Sequence, residues 1–247
     1  MTMNQDRQNN FQVNGSKIAV MQPYLFPYIG YYQLIKAVDI FVVYDDVNYI
    51  NKGWINRNRI LLNGKERLFA LPLEKASQNK LINKIDIFEP AASKNVLWGL
   101  ISQAYKNMPG YNNLHSTLEE IILFWEKNLS EYLIYSLKKL SEYLGMKTRF
   151  ILSSEIEKDN KMKGSGKILE ICKKMGANTY INPIGGTELY NKDEFEAAGI
   201  KLWFIKTLDI KYSQLKDPFV PNLSIIDVLM FNPRDQVSRY LDAYELV

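Results

Sequence analysis

The stretch that decides the fold is residues 17–44, KIAVMQPYLFPYIGYYQLIKAVDIFVVY. Ile18-Ala19-Val20-Met21 is a short apolar run, partly β-branched, as in a strand covered on both faces. Gln22-Pro23 ends it, because proline cannot donate to a central ladder. From Gly30 onward the apolar residues Tyr31, Leu34, Ile35 and Val38 recur at helical spacing. Asp39 breaks that pattern, and Ile40 to Tyr44 form a second buried strand. Strand, helix and buried strand in this order predict a parallel βαβ unit.

Working outward, Asp45 to Asn58 has no clean period and is a long polar loop, the kind that in compact domains usually serves function. Arg59 to Leu62 and Glu66 to Ala70 flank Asn63-Gly64, a strong hairpin signal. Ile82 to Phe88 alternates weakly and predicts a further strand. Between Ser93 and Leu144 the pattern turns helical. One stripe is Leu97, Leu100, Ile101 and Ala104; a second is Leu118, Ile121, Ile122, Trp125 and Leu129; a third runs from Tyr132 to Leu144, where Gly145 caps it. Strands at 150–152, 179–181 and 200–205 then alternate with helices at 165–175 and 193–198, and Ser224 begins a last helix with Asp227 at its third position, a capping-box-like pair. The expectation is an α/β protein: a mostly parallel Rossmann-like sheet with a β-hairpin and a helical insertion near 93–145. A disordered tail at 1–16 precedes one α/β domain at 17–247.

Composition narrows the function. Of the 247 residues, 47% are hydrophobic and 23% charged, which is globular, and the net charge of +4 is too mild to indicate nucleic acid without a clustered basic face. No apolar run is long enough to span a membrane, and the Asn- and Gln-rich start lacks the apolar centre of a signal peptide, so the cytoplasm is expected. One cysteine and one histidine exclude an intramolecular disulfide and leave too few ligands for a usual zinc site. No metal site is assigned, although a carboxylate-held Mg²⁺ stays open. Cys172 falls in a helical apolar pattern as a buried residue, and His115 stands far in sequence from every polar cluster.

Two clusters carry the most chemistry. The first, from Gln22 through Tyr24 and Tyr28 to Gly30, lies at the carboxyl end of the first strand, where open parallel sheets bind ligands, and runs into a helix amino end that can face an anion. The second follows the next strand: Asp45, Asp46, Tyr49, Lys52, Trp54, Asn56, Arg57, Asn58 and Arg59. Its carboxylates can orient or deprotonate a ligand group, Lys52 and Arg57 can neutralise a diphosphate, and Trp54 or Tyr49 can stack on a flat base. A third, Lys163 to Lys167, places glycines, Ser165 and Lys167 before a helix but is not a Walker motif, because Ile168 follows the lysine. A fourth, Asn182 to Tyr190, offers Gly185 and Gly186 at another strand end, and is predicted to share one pocket with the first two. A fifth, Tyr212 to Gln214 with Phe219 to Asp227, is more simply a capped helix.

These residues also carry a resemblance. Gln22-Pro23-Tyr24…Pro27-Tyr28-Ile29-Gly30-Tyr31, Tyr44-Asp45-Asp46-Val47…Tyr49 and Trp54…Asn56-Arg57-Asn58-Arg59 resemble the WbqC-like proteins. So do Ser153-Ser154, Ile181 to Gly186, Tyr212…Gln214 and Leu223 to Asp227, and together they span about 17–232. Where relatives can carry a histidine before the tyrosine-and-glutamine motif, this chain has Asp209-Ile210-Lys211. The resemblance implies a bacterial O-antigen or lipopolysaccharide context and a nucleotide sugar as small-molecule substrate. A transferase moving an acyl or aminoacyl group to a nucleotide-linked amino sugar is one expectation, with an acyl-CoA donor. Tyr28-Ile29-Gly30-Tyr31 is more loosely similar to the His-x-Gly-His start of nucleotidylyltransferases and pantothenate synthetase, with tyrosines at the histidine positions, which implies an ATP- and Mg²⁺-dependent amide ligase. A non-catalytic scaffold in the same pathway is the third expectation.

Overall fold

The computed structural model describes residues 15–215 and 217–247. Most of the expected tail lies outside the described residues, and the first strand begins at Ser16. Among the described residues there are eight strands: β1 (Ser16–Met21), β2 (Ile40–Val43), β3 (Arg57–Leu62), β4 (Lys65–Ala70), β5 (Arg149–Leu152), β6 (Ala177–Pro183), β7 (Lys201–Thr207) and β8 (Tyr244–Leu246). The helices are α1 (Ile29–Ala37), α2 (Pro90–Tyr105), α3 (Tyr111–Ile122), α4 (Leu129–Tyr143), α5 (Gly164–Lys174), α6 (Lys192–Ala197), α7 (Ile225–Phe231) and α8 (Arg234–Asp242).

Six strands form one sheet in the order β5-β2-β1-β6-β7-β8. All neighbours are parallel except β8, which runs antiparallel to β7. The chain places its third strand of this sheet on one side of β1 and its fourth on the other, the doubly wound order of Rossmann folds. Successive side chains of each strand face opposite layers. Ile18, Val20, Ile40, Val42, Ile151 and Phe204 join Ile171 and Cys172 of α5 in one core. Ala19, Phe41, Val43, Ile181 and Ile205 join α1, α8 and the helical segment in a larger one. Each fully buried Leu or Ile contributes about 1.5–3 kcal/mol. Both faces are therefore closed, which is why these strands read as unbroken apolar runs.

β3 and β4 stand apart as a hairpin. Its two-residue turn needs positive φ twice, supplied by Asn63 (φ 54) and Gly64 (φ 74). Ile60 and Phe69 of the hairpin enter the same core as α2, α3 and α4, so the helical segment is fastened to the sheet partly through it.

Two expectations need correction, and one pair of elements was not foreseen. Ile82 to Phe88 is not a strand: it holds a single 3-10 turn at Ile82–Lys84 and two isolated bridges, Leu73 to Ile87 and Asp86 to Asn128. Ile82, Ile85 and Ile87 are buried in the larger core beside α4, with no partner strand. The second helical stripe ends at Ile122; Trp125 lies beyond it, 78% exposed, and Leu129 opens α4. Finally, α8 and β8 carry Val237 and Leu241 into the core and add the antiparallel edge, from a stretch too short and polar to announce either element.

Candidate functional site: a two-part cleft at the end of β1

The turn after β1 is fixed from three sides. Pro23 and Pro27 limit its backbone. Phe26, fully buried, adopts a left-handed conformation (φ 44). Its carbonyl accepts from Asn58 Nδ2 at 2.8 Å and from Ser224 Oγ at 2.8 Å. Asn58 also donates to Leu25 O, and Leu25 N donates to Ile55 O at 3.0 Å. Ser224 N donates to Arg59 O, and Ile225 N to Pro27 O, both at 2.9 Å. The first cluster, the second cluster and the start of α7 are thus tied into one frame. Such a non-glycine outlier persists only where its surroundings hold it.

The frame encloses a cavity of about 250 Å³ lined by Tyr24, Pro27, Tyr28, Trp54, Asn58, Arg59 and Asn222. Trp54 is 40% exposed, with the guanidinium carbons of Arg57 and Arg59 at 5.6 and 5.4 Å from its ring. Arg59 pairs with Glu66 at 2.8 Å, yet its Nε is buried without a partner. Tyr49, Asn56 and Arg57 brace the loop: Tyr49 Oη donates to Asn56 Oδ1, Asn56 Nδ2 to Leu71 O, and Arg57 to the carbonyls of Lys52 and Gly53. Lys52 itself is exposed. Gln22 contributes its carbonyl, which accepts from Tyr31 Oη at 2.7 Å.

A second cavity of about 400 Å³ shares Tyr28 and Asn222 with the first and extends along Thr207, Asp209, Tyr212 and Phe219. Gly30 makes the junction possible: a Cβ there would lie 2.4 Å from Tyr28 Cε2 and 2.7 Å from Thr207 Oγ1. Behind the second cavity, Asp227 is fully buried and receives Tyr105 Oη and Tyr212 Oη, both at 2.6 Å, and Gln214 Nε2 at 3.2 Å. Burial raises the Asp227 carboxyl above its ordinary range, and the tyrosine and glutamine donors only partly offset this. The Tyr212 hydroxyl is pushed well above its ordinary value by burial and by Asp227.

Asp45 and Asp46 line neither cavity. Asp45 is buried; its Oδ1 accepts from Ser154 N at 2.9 Å, and its Oδ2 from Ser154 Oγ at 2.6 Å and Asn83 Nδ2 at 3.0 Å. Asp46 Oδ2 pairs with Lys158 Nζ at 2.8 Å and Lys167 Nζ at 3.3 Å, all nearly buried. Burial alone would raise Asp46, but the lysines outweigh it and hold the carboxyl below its ordinary range. Ser153 faces Asp46 as well, yet Ser153 Oγ and Asp46 Oδ1 each lack a partner of hydrogen-bonding geometry, so the lysines carry the effect. Lys167 also sits 5.1 Å from the Tyr44 ring. Ser165 donates to Glu194 at 3.0 Å, and Gly186 packs where a Cβ would meet Asn182 Nδ2. Gly185 has open space around it. Ser165, Lys167, Gly185 and Gly186 therefore line neither cavity of the cleft, and residues of the fifth cluster, not the fourth, line it. Thr207 had no signal in the sequence beyond its place after a strand end, whereas Asn222 lay in the fifth cluster and Asp209 in the stretch where relatives can carry a histidine.

Among the described residues no helix is long and apolar enough to cross a membrane, and no group of three His, Cys, Asp or Glu residues gathers as metal ligands. Cys172 is buried, with its thiol pushed up to about 12 by burial. His115 stacks edge-on against Trp98 and Tyr111.

The family model described as the WbqC-like protein family matches residues 22–239. The Mycobacterium tuberculosis protein named "Uncharacterized protein Rv1507c" is 26% identical over 228 residues, which covers 91% of this chain and 97% of that protein. No solved structure matches the chain.

Proposed function

The chain belongs to the WbqC-like protein family, and on that premise we propose that its two-part cleft binds a nucleotide-linked amino sugar, to whose amine the protein transfers an acyl or aminoacyl group during surface-polysaccharide synthesis. The observation that carries this reading is the cleft's makeup. An exposed tryptophan flanked by Arg57 and Arg59 stands beside the amino end of α1, where Tyr28 supplies no capping side chain. A planar base suits Trp54 or Tyr24, and a diphosphate suits Arg59 and the helix amino end. The adjoining cavity then receives the sugar. In this reading Asp45 and Asp46 hold the loop and the end of β2 in place, because their oxygens are engaged with Ser154, Asn83, Lys158 and Lys167.

The test is a thermal-shift series against UDP-, GDP- and dTDP-sugars, coenzyme A thioesters, and ATP, each with and without Mg²⁺. A ligand that binds only the native state stabilises it by about 2.7 kcal/mol at a hundred times its dissociation constant. Stabilisation by a nucleotide sugar that disappears in Arg59→Ala supports the reading. Stabilisation by ATP with Mg²⁺ alone transfers the assignment to an amide ligase. No shift with any of them overturns it in favour of a scaffold.

A further inference from the structure

The hydrogen bonds behind the second cavity fix the polarity of one of its walls. Gln33 is fully buried, and its Nε2 donates to Tyr240 O at 2.7 Å and Ala243 O at 3.0 Å. Both amide protons are thereby used, so Gln33 Oε1 must accept. Thr207 Oγ1 lies 2.7 Å from it and donates its only proton there. Tyr212 repeats the pattern: its proton is held by the Asp227 carboxylate at 2.6 Å, and Gln214 Nε2 reaches its oxygen at 3.5 Å, which leaves one lone pair. A hydroxyl whose single proton is committed inward offers only lone pairs outward. Asp209, also on the wall, carries acceptors alone, and it is the one charged lining residue among those described. Lys211 sits 3.0 Å from Asp209, but both are mostly exposed and Lys211 does not line the cavity. A pair this exposed is weak and leaves the carboxylate available. The first cavity is opposite in character: Arg59 is its one charged lining residue among those described.

We infer that the cavity along Thr207, Asp209 and Tyr212 is an amine subsite, built to take a primary amine on a sugar-sized ring through three oxygen acceptors. It rests on the proposed function in that it locates the amine end of the ligand whose diphosphate lies at Arg59. The two ends of the cleft then select opposite charges on one molecule, and a hydroxyl in place of the amine loses the charge-assisted contact to Asp209.

Ligand-observed NMR with free glucosamine and free glucose reads this subsite without the nucleotide end, and UDP, GDP and dTDP titrations read the other cavity separately. The expected result is that glucosamine binds about tenfold tighter than glucose, as one charge-assisted hydrogen bond implies. Asp209→Asn, an exposed change that leaves the fold intact, should remove most of that preference. Tyr212→Phe should reduce it while nucleotide binding persists, which shows that the variant is folded. Equal binding of the two sugars beside normal nucleotide binding overturns the amine subsite and leaves the nucleotide reading standing. A glucosamine preference that survives both variants also overturns it. A preference lost in Asp209→Asn, with no nucleotide binding at all, upholds the subsite and overturns the nucleotide reading. Absence of both overturns both.

Discussion

Ser154 grips Asp45 twice, through its backbone N–H at 2.9 Å and its hydroxyl at 2.6 Å, and so ties the end of β5 to the loop after β2. Asp45→Asn turns one acceptor oxygen into a donor that faces other donors. The expected cost is about 2–4 kcal/mol of stability, read by urea denaturation. Wild-type stability together with lost activity would instead return Asp45 to a chemical role.

Acid titration should separate two buried carboxylates. Asp46 has a folded pKa below its unfolded value, so its contribution is present above the unfolded value and is lost as pH falls through the folded one, in the range below about pH 4. Lys158→Met leaves Asp46 buried with a weaker partner set. It should lower stability by about 3–5 kcal/mol and start the acid loss at higher pH. Asp227 has the opposite sign: its raised folded pKa makes stability fall as pH rises from the unfolded value to the folded one. Denaturant midpoints of wild type, Lys158→Met and Asp227→Asn across this range decide it, and identical profiles would refute both assignments.

Trp54 is exposed and its ring bears no packing role in the core, so Trp54→Ala should change stability by less than about 0.5 kcal/mol. Loss of one stacked base should weaken nucleotide binding by about 1–3 kcal/mol, measured by calorimetry. An unchanged affinity would move the base to Tyr24.

Gly30→Ala tests the junction of the two cavities. The new methyl collides with Tyr28 and Thr207, and a cost of about 1–3 kcal/mol is expected. Because Tyr28 lines both cavities, binding of sugar and nucleotide should fall together. Independent losses in the two titrations would argue against a continuous cleft.

The parts legible in the sequence are those whose signal is local. The apolar runs of β1 and β2 show burial on both faces, and Asn63-Gly64 can scarcely be anything but a tight turn. The density of Tyr24, Tyr28, Trp54 and Arg59 near one strand end marks half of the cleft. The other half has no local signature: Thr207 gains its polarity from Gln33, 174 residues earlier, and Tyr212 from Asp227. Adjacent aspartates look alike whether they face a ligand or the protein. Asp45 and Asp46 are engaged by Asn83, Ser154 and Lys167, residues 38, 109 and 121 positions away, and no spacing rule reaches that far.

The order β5-β2-β1-β6-β7-β8 also sets a timetable for synthesis. When the ribosome has made the first 170 residues, β1 can pair with β2, and β2 with β5, but the other edge of β1 stays bare until β6 emerges. An unpaired apolar edge of this kind invites association between nascent chains. The cleft is finished later still, since Asn222 closes onto Arg59, made 163 residues earlier, and Ser224 onto Phe26, made 198 residues earlier. A chain stopped between Arg59 and β6 therefore leaves one edge of β1 bare, and one stopped before Asn222 carries the aromatic and arginine half of the cleft with nothing to close it.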